Sequence, residues 1–203
     1  MKSLSVISLG LLVTALTVFG CATTSDSGWV TLIDGEKGLE NFNRLGDANW
    51  RAEGGAIVAD KGKGGHHVTK NSYTNFQIRA EFYAETGTNS GIFLRATDPN
   101  KITATNAYEV NIYDLRPGPE FGTGAIVNYG RVAVPNNYKA AGKWNTYLIT
   151  AKGTNLIVEL NGVQTVNIYD SQFASGPFTL QFGMHGKEPG GAIKWRKVQV
   201  RSL

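Results

Sequence analysis

The segment "YEVNIYD", residues 108–114, contains side chains that could transfer protons and bind hydroxyl groups. If the segment is a strand, alternate side chains point to opposite faces. One face is then apolar, and the other carries Glu109, Asn111 and Tyr113. A carboxylate can act as a general base, and amide and phenol groups both donate and accept hydrogen bonds. The second face is therefore either the solvated side of a sheet or the floor of a site.

Two further segments show the same alternation of an apolar and a polar face. In "NSGIFLR" the second face carries Asn89, Gly91, Phe93 and Arg95. In "FTLQFGMH" it carries Thr179 and Gln181, and also His185 if the strand stays regular. The glycine at position 91 would let a ligand approach the backbone. Three such strands suggest a polar concave floor, although strand parity alone also allows solvated or mutually hydrogen-bonded groups.

The elements that position these side chains are short and apolar or alternating, which is typical of an all-β protein. From Trp29 onward no amphipathic helical stretch of useful length is evident, and Asn161-Gly162 predicts a type I′ hairpin. Ten or more strands need two packed sheets, so we predict a concanavalin A-like jelly-roll β-sandwich of two antiparallel sheets. Residues 115–142 form a long irregular connection, and such loops are often functional.

Composition indicates one globular domain. The chain has 203 residues, of which 41% are apolar and 18% charged, and it contains 25 glycines. The net charge of +4 is weak, and its basic residues are scattered rather than clustered with aromatic residues on one face. We therefore expect no nucleic-acid partner.

The N-terminus resembles a bacterial lipoprotein leader. Residues 1–20 read as a lipoprotein signal peptide, residues 21–28 as a polar tether beginning at a lipidated Cys21, and residues 29–203 as the folded domain. Cys21 is the single cysteine of the chain, so it cannot form a disulfide within it. Because Ala22 follows it, the sorting pattern favours the outer membrane, on either face. The alternatives are an ordinary signal peptide with a chance cysteine, or an uncleaved anchor.

A series of motifs, in order along nearly the whole mature chain, resembles the 3-keto-disaccharide hydrolase domain family, formerly a domain of unknown function. The motifs are "GWVTLIDG", "NSGIFLRA", "YEVNIYD", "GTGAI", "AGKWNTYLITAKG", "VELNGV", "GPFTLQFGMHG" and "KWRKVQVRSL". The resemblance implies the concanavalin A-like lectin and glucanase sandwich. It also implies action on glycosides whose sugar is oxidised at carbon 3, and hence an upstream sugar 3-dehydrogenase.

The chemistry implied by the resemblance is removal of the carbon 2 proton, expulsion of the group on carbon 1, and addition of water. It requires a base, a proton donor and a stabiliser of the enolate. We assign Glu109 as base, His185 as acid/base and Arg95 as the group that holds the oxyanion. Substrate binding is assigned to Asn89, Asn111, Gln181 and Tyr113. A divalent metal held by Glu109 and His185 could also stabilise the enolate. It is a hypothesis only, because the sequence shows no metal-ligand spacing.

The sequence also allows other functions for the chain and other roles for several of its residues. The chain could be a noncatalytic carbohydrate-binding lipoprotein, or a structural envelope protein whose sandwich supports contacts with other proteins. His66 and His67 are adjacent, so in a strand they would face opposite ways, and a solvated loop is the simpler interpretation. Trp144 and Trp195 could stack on sugar rings, although packing within the protein is the commoner use of tryptophan.

Overall fold

A computed structural model describes residues 28–203, and Cys21 with the predicted leader and tether therefore lies outside the described residues, apart from Gly28. The described part contains fifteen β-strands and two single-turn 3-10 helices, Leu39–Asn41 and Pro119–Phe121. The strands are β1 (Val30–Asp34), β2 (Phe42–Gly46), β3 (Arg51–Glu53), β4 (Ala56–Ala59), β5 (Gly65–Thr69), β6 (Phe76–Ala84), β7 (Ser90–Leu94), β8 (Tyr108–Ile112), β9 (Trp144–Lys152), β10 (Asn155–Leu160), β11 (Val163–Tyr169), β12 (Thr179–Phe182), β13 (Met184–His185), β14 (Glu188–Pro189) and β15 (Ile193–Ser202). Within residues 28–203, no helix has the length and apolar character needed to cross a membrane.

Two antiparallel sheets form the sandwich, as the sequence predicts. The eight-stranded sheet has the order β11-β10-β9-β6-β15-β4-β3, and β1 also pairs with β15. The five-stranded sheet has the order β2-β5-β12-β7-β8, and β13 and β14 form a small separate hairpin. β12 therefore lies between β5 and β7, which are distant from it in the chain.

The core lies between the inner faces of the two sheets. β6 shows the expected period of two, with buried and half-buried residues alternating along its whole length. Phe82 packs against Tyr147 and Trp195 with ring centres 5.0 and 5.7 Å apart. Trp195 is fully buried, whereas Trp144 is exposed on the outer face of the same sheet. Burial of each such aromatic side chain contributes on the order of 2–3 kcal/mol.

Two tight turns join β9 to β10 and β10 to β11, and both contain residues with positive φ. Asn161 and Gly162 join β10 to β11 with φ values of 53° and 79°, as a type I′ turn requires. Gly153, with φ of 56°, lies in the tight connection between β9 and β10. These two turns fix the registers of three consecutive strands.

The long connection after β8 is ordered by one carboxylate. Asp114 accepts hydrogen bonds from the Thr123 hydroxyl and from the backbone N–H groups of Ala140 and Ala141. The segment also pairs with β8, because the N–H of Asn111 donates to Ala125. The connection therefore covers the outer edge of the five-stranded sheet, which would otherwise expose unpaired backbone groups.

Candidate functional site

The outer face of the five-stranded sheet brings most of the predicted polar residues together. His66 on β5 is opposite Gln181 on β12, and Gly91 on β7 is opposite Asn111 on β8. The register of β12 with β7 places Gln181 beside Gly91, and the Ser90 hydroxyl donates to the Gln181 carbonyl at 2.6 Å. One row across four strands therefore carries an imidazole, an amide, a glycine and a second amide.

Glu109 lies next to this row and leans over the glycine. A Cβ at position 91 would be 3.6 Å from Glu109 Oε1 and 2.9 Å from the carbonyl oxygen of Val110. Glu109 is only 7% exposed, and burial raises the pKa of its carboxyl group to about 7. The guanidinium of Arg116 opposes this rise in pKa, since a nearby cation favours the carboxylate. A carboxyl group whose pKa is raised towards neutrality suits a general base.

A cleft of about 400 Å³ continues from this row over β5 and β12. Its polar walls include His66, Gln181, Asn89 and Lys63. His66 Nδ1 lies 2.9 Å from the Thr179 hydroxyl, and burial lowers the pKa of this imidazole to about 4. Gln181 Oε1 is buried and has no hydrogen-bond partner among the described residues. The cleft therefore presents a neutral imidazole, and its Gln181 side chain carries an amide oxygen whose hydrogen-bonding capacity is unused among the described residues.

A second polar group forms the rim of the site. The Tyr113 hydroxyl lies 3.0 Å from His185 Nδ1, and the two rings pack edge to face. The Asn89 amide donates to the carbonyl of Met184 at 2.6 Å, which ties the end of β7 to the small hairpin carrying His185. His185 thus reaches the side of the sheet expected from its sequence, although β12 ends at Phe182 and the histidine belongs to β13.

Asn111 has the predicted orientation but lies beneath the surface of the site. Its side chain is fully buried, and its Nδ2 donates to the carbonyl of Phe121 at 2.6 Å. The connection after β8 covers it, and its Oδ1, like Gln181 Oε1, is buried without a hydrogen-bond partner among the described residues. Asn111 fixes the loop beside Glu109.

The expectation that Arg95 shares the face of Glu109 is wrong. β7 ends at Leu94, and Arg95 has φ of 54°, so the alternation of side chains stops one residue earlier. The guanidinium is buried and donates to the backbone carbonyls of Thr74, Gly153 and Phe173. Arg95 therefore joins three loops at another part of the sandwich and does not face the site around Glu109.

Comparison with known proteins identifies the family. The sequence model of the 3-keto-alpha-glucoside-1,2-lyase-like domain matches residues 28–201. The chain belongs to this family. The match confirms the resemblance seen in the sequence motifs. No curated protein is a significant match to the chain.

Solved structures similar to this family member include three candidate glycosyl hydrolases from Parabacteroides distasonis ATCC 8503. One has 26% sequence identity and a TM-score of 0.68, and the match covers 86% of this chain and 99% of that chain. The carbohydrate-binding module CBM66 of Bacillus subtilis has 16% identity and a TM-score of 0.54, with 86% and 96% covered. A Bacillus subtilis protein with a galectin-like fold has 9% identity and a TM-score of 0.62, with 84% and 93% covered. The last two likenesses confirm the lectin-type sandwich.

The described residues of this family member were compared with the ligand sets that His, Cys, Asp and Glu form around metal ions. Within residues 28–203, no three His, Cys, Asp or Glu side chains lie close enough together to hold a metal ion. Glu109 and His185 thus lack a third ligand of these types, and the His185 Nδ1 already faces the Tyr113 hydroxyl.

Two residues of the site, His66 and Arg116, were not predicted from the sequence. His66 faces the cleft because β5 pairs with β12, a contact between segments more than a hundred residues apart. His67 faces the other way, as strand parity requires, and stacks on Trp50 at 4.2 Å. Arg116 comes from the irregular connection after β8, and its position in the Gly- and Pro-rich segment at 115–142 was the one available signal.

Proposed function

We propose that this protein cleaves glycosides oxidised at carbon 3, by elimination followed by hydration, on the outer face of its five-stranded sheet. The observation that carries the proposal is Glu109, a buried carboxyl group with a pKa raised to about 7 beside the space left by Gly91. Membership in the 3-keto-alpha-glucoside-1,2-lyase-like family supports this reaction class. The likeness to candidate glycosyl hydrolases at 26% identity agrees with a carbohydrate substrate.

The reaction begins with a proton transfer. A ketone at carbon 3 acidifies the proton on carbon 2, and the Glu109 carboxylate removes it to give an enolate. The electron pair returns, forms the double bond between carbons 1 and 2, and expels the oxygen substituent on carbon 1. Water then adds its oxygen to carbon 1 and a proton to carbon 2. A well-placed general base contributes about 10²- to 10⁴-fold to such a step.

The remaining side chains bind the sugar and supply the second proton. Gln181 lines the cleft, and its Oε1 accepts a sugar hydroxyl because no group among the described residues donates to it. The Tyr113 and His185 pair protonates the departing oxygen, since a hydroxyl hydrogen-bonded to an imidazole can pass a proton on. His66 is neutral at pH 7 because its pKa is about 4, so it hydrogen-bonds the sugar without adding charge.

The second candidate function is carbohydrate binding without catalysis. The cleft is lined by Asn89, Gln181 and His66, which are groups that bind sugar hydroxyls. The sequence shows no second acidic residue on the strand face of Glu109, whereas ordinary glycoside hydrolysis uses a pair of carboxyl groups. The sandwich of a carbohydrate-binding module is similar in fold. The alternative predicts binding of a keto sugar and its unoxidised parent without release of product.

The test is to incubate the purified protein with a 3-keto-disaccharide and with its unoxidised parent, and to follow sugar release. The proposal predicts release from the keto compound alone. Release from both compounds, or binding without release, would contradict it. A parallel reaction with added divalent cations and with chelator shows whether a metal ion is required.

We also propose that Cys21 is lipidated and that the protein is held at the outer membrane. The lipoprotein-like leader and the alanine after the cysteine support this location. Metabolic labelling with a fatty acid should mark the protein and should not mark Cys21→Ser. An upstream sugar 3-dehydrogenase is the class of enzyme that would supply the substrate.

A further inference from the structure

The outer face of the eight-stranded sheet carries a surface in which aromatic rings stack with cationic side chains. It lies on the opposite side of the sandwich from the candidate site. We name it the basic aromatic patch, and its members are Trp29, Arg79, Tyr83, Trp144, Lys194, Arg196 and Arg201. None of these residues belongs to the site described above, so the patch is a separate feature.

One end of the patch is built around Trp29. The guanidinium carbons of Arg79 and Arg201 lie 4.8 and 4.7 Å from the centre of its ring. Arg201 donates from Nε to Gln77 Oε1 at 2.7 Å, which holds it against the sheet. A cleft of about 460 Å³ adjoins this end and is lined on its far side by Leu148 and Glu159.

The other end is built around Trp144, which is 37% exposed. The guanidinium carbon of Arg196 lies 4.3 Å from its ring centre, and Tyr83 packs edge to face at 5.8 Å. Lys194 Nζ lies 5.5 Å from the Tyr83 ring. Arg196 also forms an ion pair with Glu81 at 2.6 Å. Even with Glu81 and Glu159 included, cations outnumber carboxylates on this surface.

We propose that the basic aromatic patch docks the protein on an anionic phospholipid surface. Tryptophan and tyrosine favour the boundary between water and acyl chains, and arginine and lysine bind lipid phosphates. Each cation near an anionic membrane strengthens binding about fivefold. A half-exposed row of aromatic and cationic groups has the composition that such a boundary requires.

The number of residues between Cys21 and Trp29 also favours a lipid surface as the partner of the patch. Cys21 precedes Trp29 by eight residues, a length of chain that spans at most about 28 Å when fully extended. A lipid on Cys21 would therefore keep the Trp29 end of the patch close to the bilayer. This step depends on the proposed lipidation, whereas the contacts within the patch do not. Docking on this face leaves the Glu109 site open on the side away from the membrane.

The test uses the purified protein reconstituted in vesicles of phosphatidylcholine, with and without phosphatidylglycerol. A headgroup spin-labelled lipid quenches tryptophan emission at short range, and Trp50 and Trp195 are buried in the core. We expect quenching in the vesicles with phosphatidylglycerol, and its loss in phosphatidylcholine alone or at high salt. Equal quenching in both vesicles, or none in either, would overturn the proposal. These measurements require no variant.

Charge reversal assigns the effect to the patch. Arg196→Glu with Arg201→Glu should reduce quenching to the level seen in phosphatidylcholine alone, while Lys101→Glu on the opposite side of the sandwich should leave it unchanged. Circular dichroism confirms the fold of each variant.

Full quenching in the double variant would contradict the proposal. A second outcome would also contradict it: spin-labelled lipid does not quench the tryptophan emission, and a soluble acidic polysaccharide protects the tryptophans instead. The partner of the patch would then be a glycan. Cleavage of the keto sugar should be the same in the wild type and the double variant, so the result is independent of the catalytic proposal.

Discussion

Glu109 and Gly91 lie on neighbouring strands, and the carboxylate oxygen of Glu109 is 3.6 Å from the position that a Cβ of residue 91 would take. The glycine therefore leaves space for the side chain of Glu109. The carboxyl group is buried, which brings its pKa to about 7 and makes it a stronger base than an exposed glutamate. The local packing of two strands thus produces both the space and the basicity that the proposed reaction requires.

Gly91→Val should reduce kcat/KM for a 3-keto-glycoside by about 10²-fold, because the new side chain would displace Glu109 from the reacting carbon. A Cβ there would also be only 2.9 Å from the Val110 carbonyl oxygen, so stability should fall by about 1–3 kcal/mol. Steady-state kinetics and thermal unfolding separate the two effects. Wild-type kinetics in a folded Gly91→Val protein would mean that this space is not used by the substrate.

Glu109→Gln should stabilise the protein at alkaline pH. The folded-state pKa of about 7 is above the ordinary value of 4.5, so the folded protein retains a proton that the unfolded chain releases between these values. Stability from this group is complete below pH 4.5 and falls as the pH rises to 7. Urea unfolding at pH 8 should favour the variant by on the order of 2–3 kcal/mol, with the difference vanishing near pH 4. A difference that does not depend on pH would show that the carboxyl group is not buried as described.

His67→Phe should protect the protein against acid. His67 stacks on Trp50 and Phe42, neither ring nitrogen has a hydrogen-bond partner among the described residues, and burial lowers the pKa of His67 to about 3. The unfolded chain takes up a proton near pH 6.5 while the folded chain does not, so stability is lost as the pH falls from 6.5 towards 3. Unfolding midpoints at pH 7 and pH 4 should differ less in the variant than in the wild type. An unchanged difference would argue against a buried neutral imidazole.

Arg95→Met should destabilise the fold by about 3–5 kcal/mol, because the carbonyl groups of three loops, of which that of Phe173 is buried, lose a charged donor. The kinetic constants of the protein that remains folded should be unchanged. Arg116→Met is the matched control, since it removes a cation beside Glu109 and should raise the pKa seen in the pH–rate profile with little effect on stability. If Arg95→Met abolished turnover without loss of stability, Arg95 would act at the site after all.

The sandwich could be predicted from the sequence because its signals are local. Strand alternation in "YEVNIYD" correctly placed Glu109 and Tyr113 on one face, and Asn161-Gly162 correctly marked a type I′ turn. Strand parity failed at Arg95 because a single residue with positive φ ended the strand, and nothing in "FLRA" distinguishes that residue from its neighbours. A local pattern describes a strand only as long as the backbone remains extended.

Burial and long-range pairing could not be read from the sequence. Asn111 has the parity of a surface residue, yet the loop after β8 covers it, and the path of that loop depends on the contacts of Asp114 with residues far along the chain. His66 joined the site because β5 pairs with β12, and neither segment specifies its partner by itself. The raised pKa of Glu109 has the same origin, because a strand that no loop covered would leave the carboxylate in water.

The most direct test of the central claim is the reaction of the wild type and Glu109→Gln with a 3-keto-glycoside carrying deuterium at carbon 2. The proposal predicts a primary isotope effect on kcat/KM in the wild type and a loss of turnover of about 10²- to 10⁴-fold in the variant, whose fold is intact by circular dichroism. The rate should rise with pH through about 7, where Glu109 loses its proton. Wild-type turnover by Glu109→Gln would contradict the claim that this carboxylate removes the carbon 2 proton.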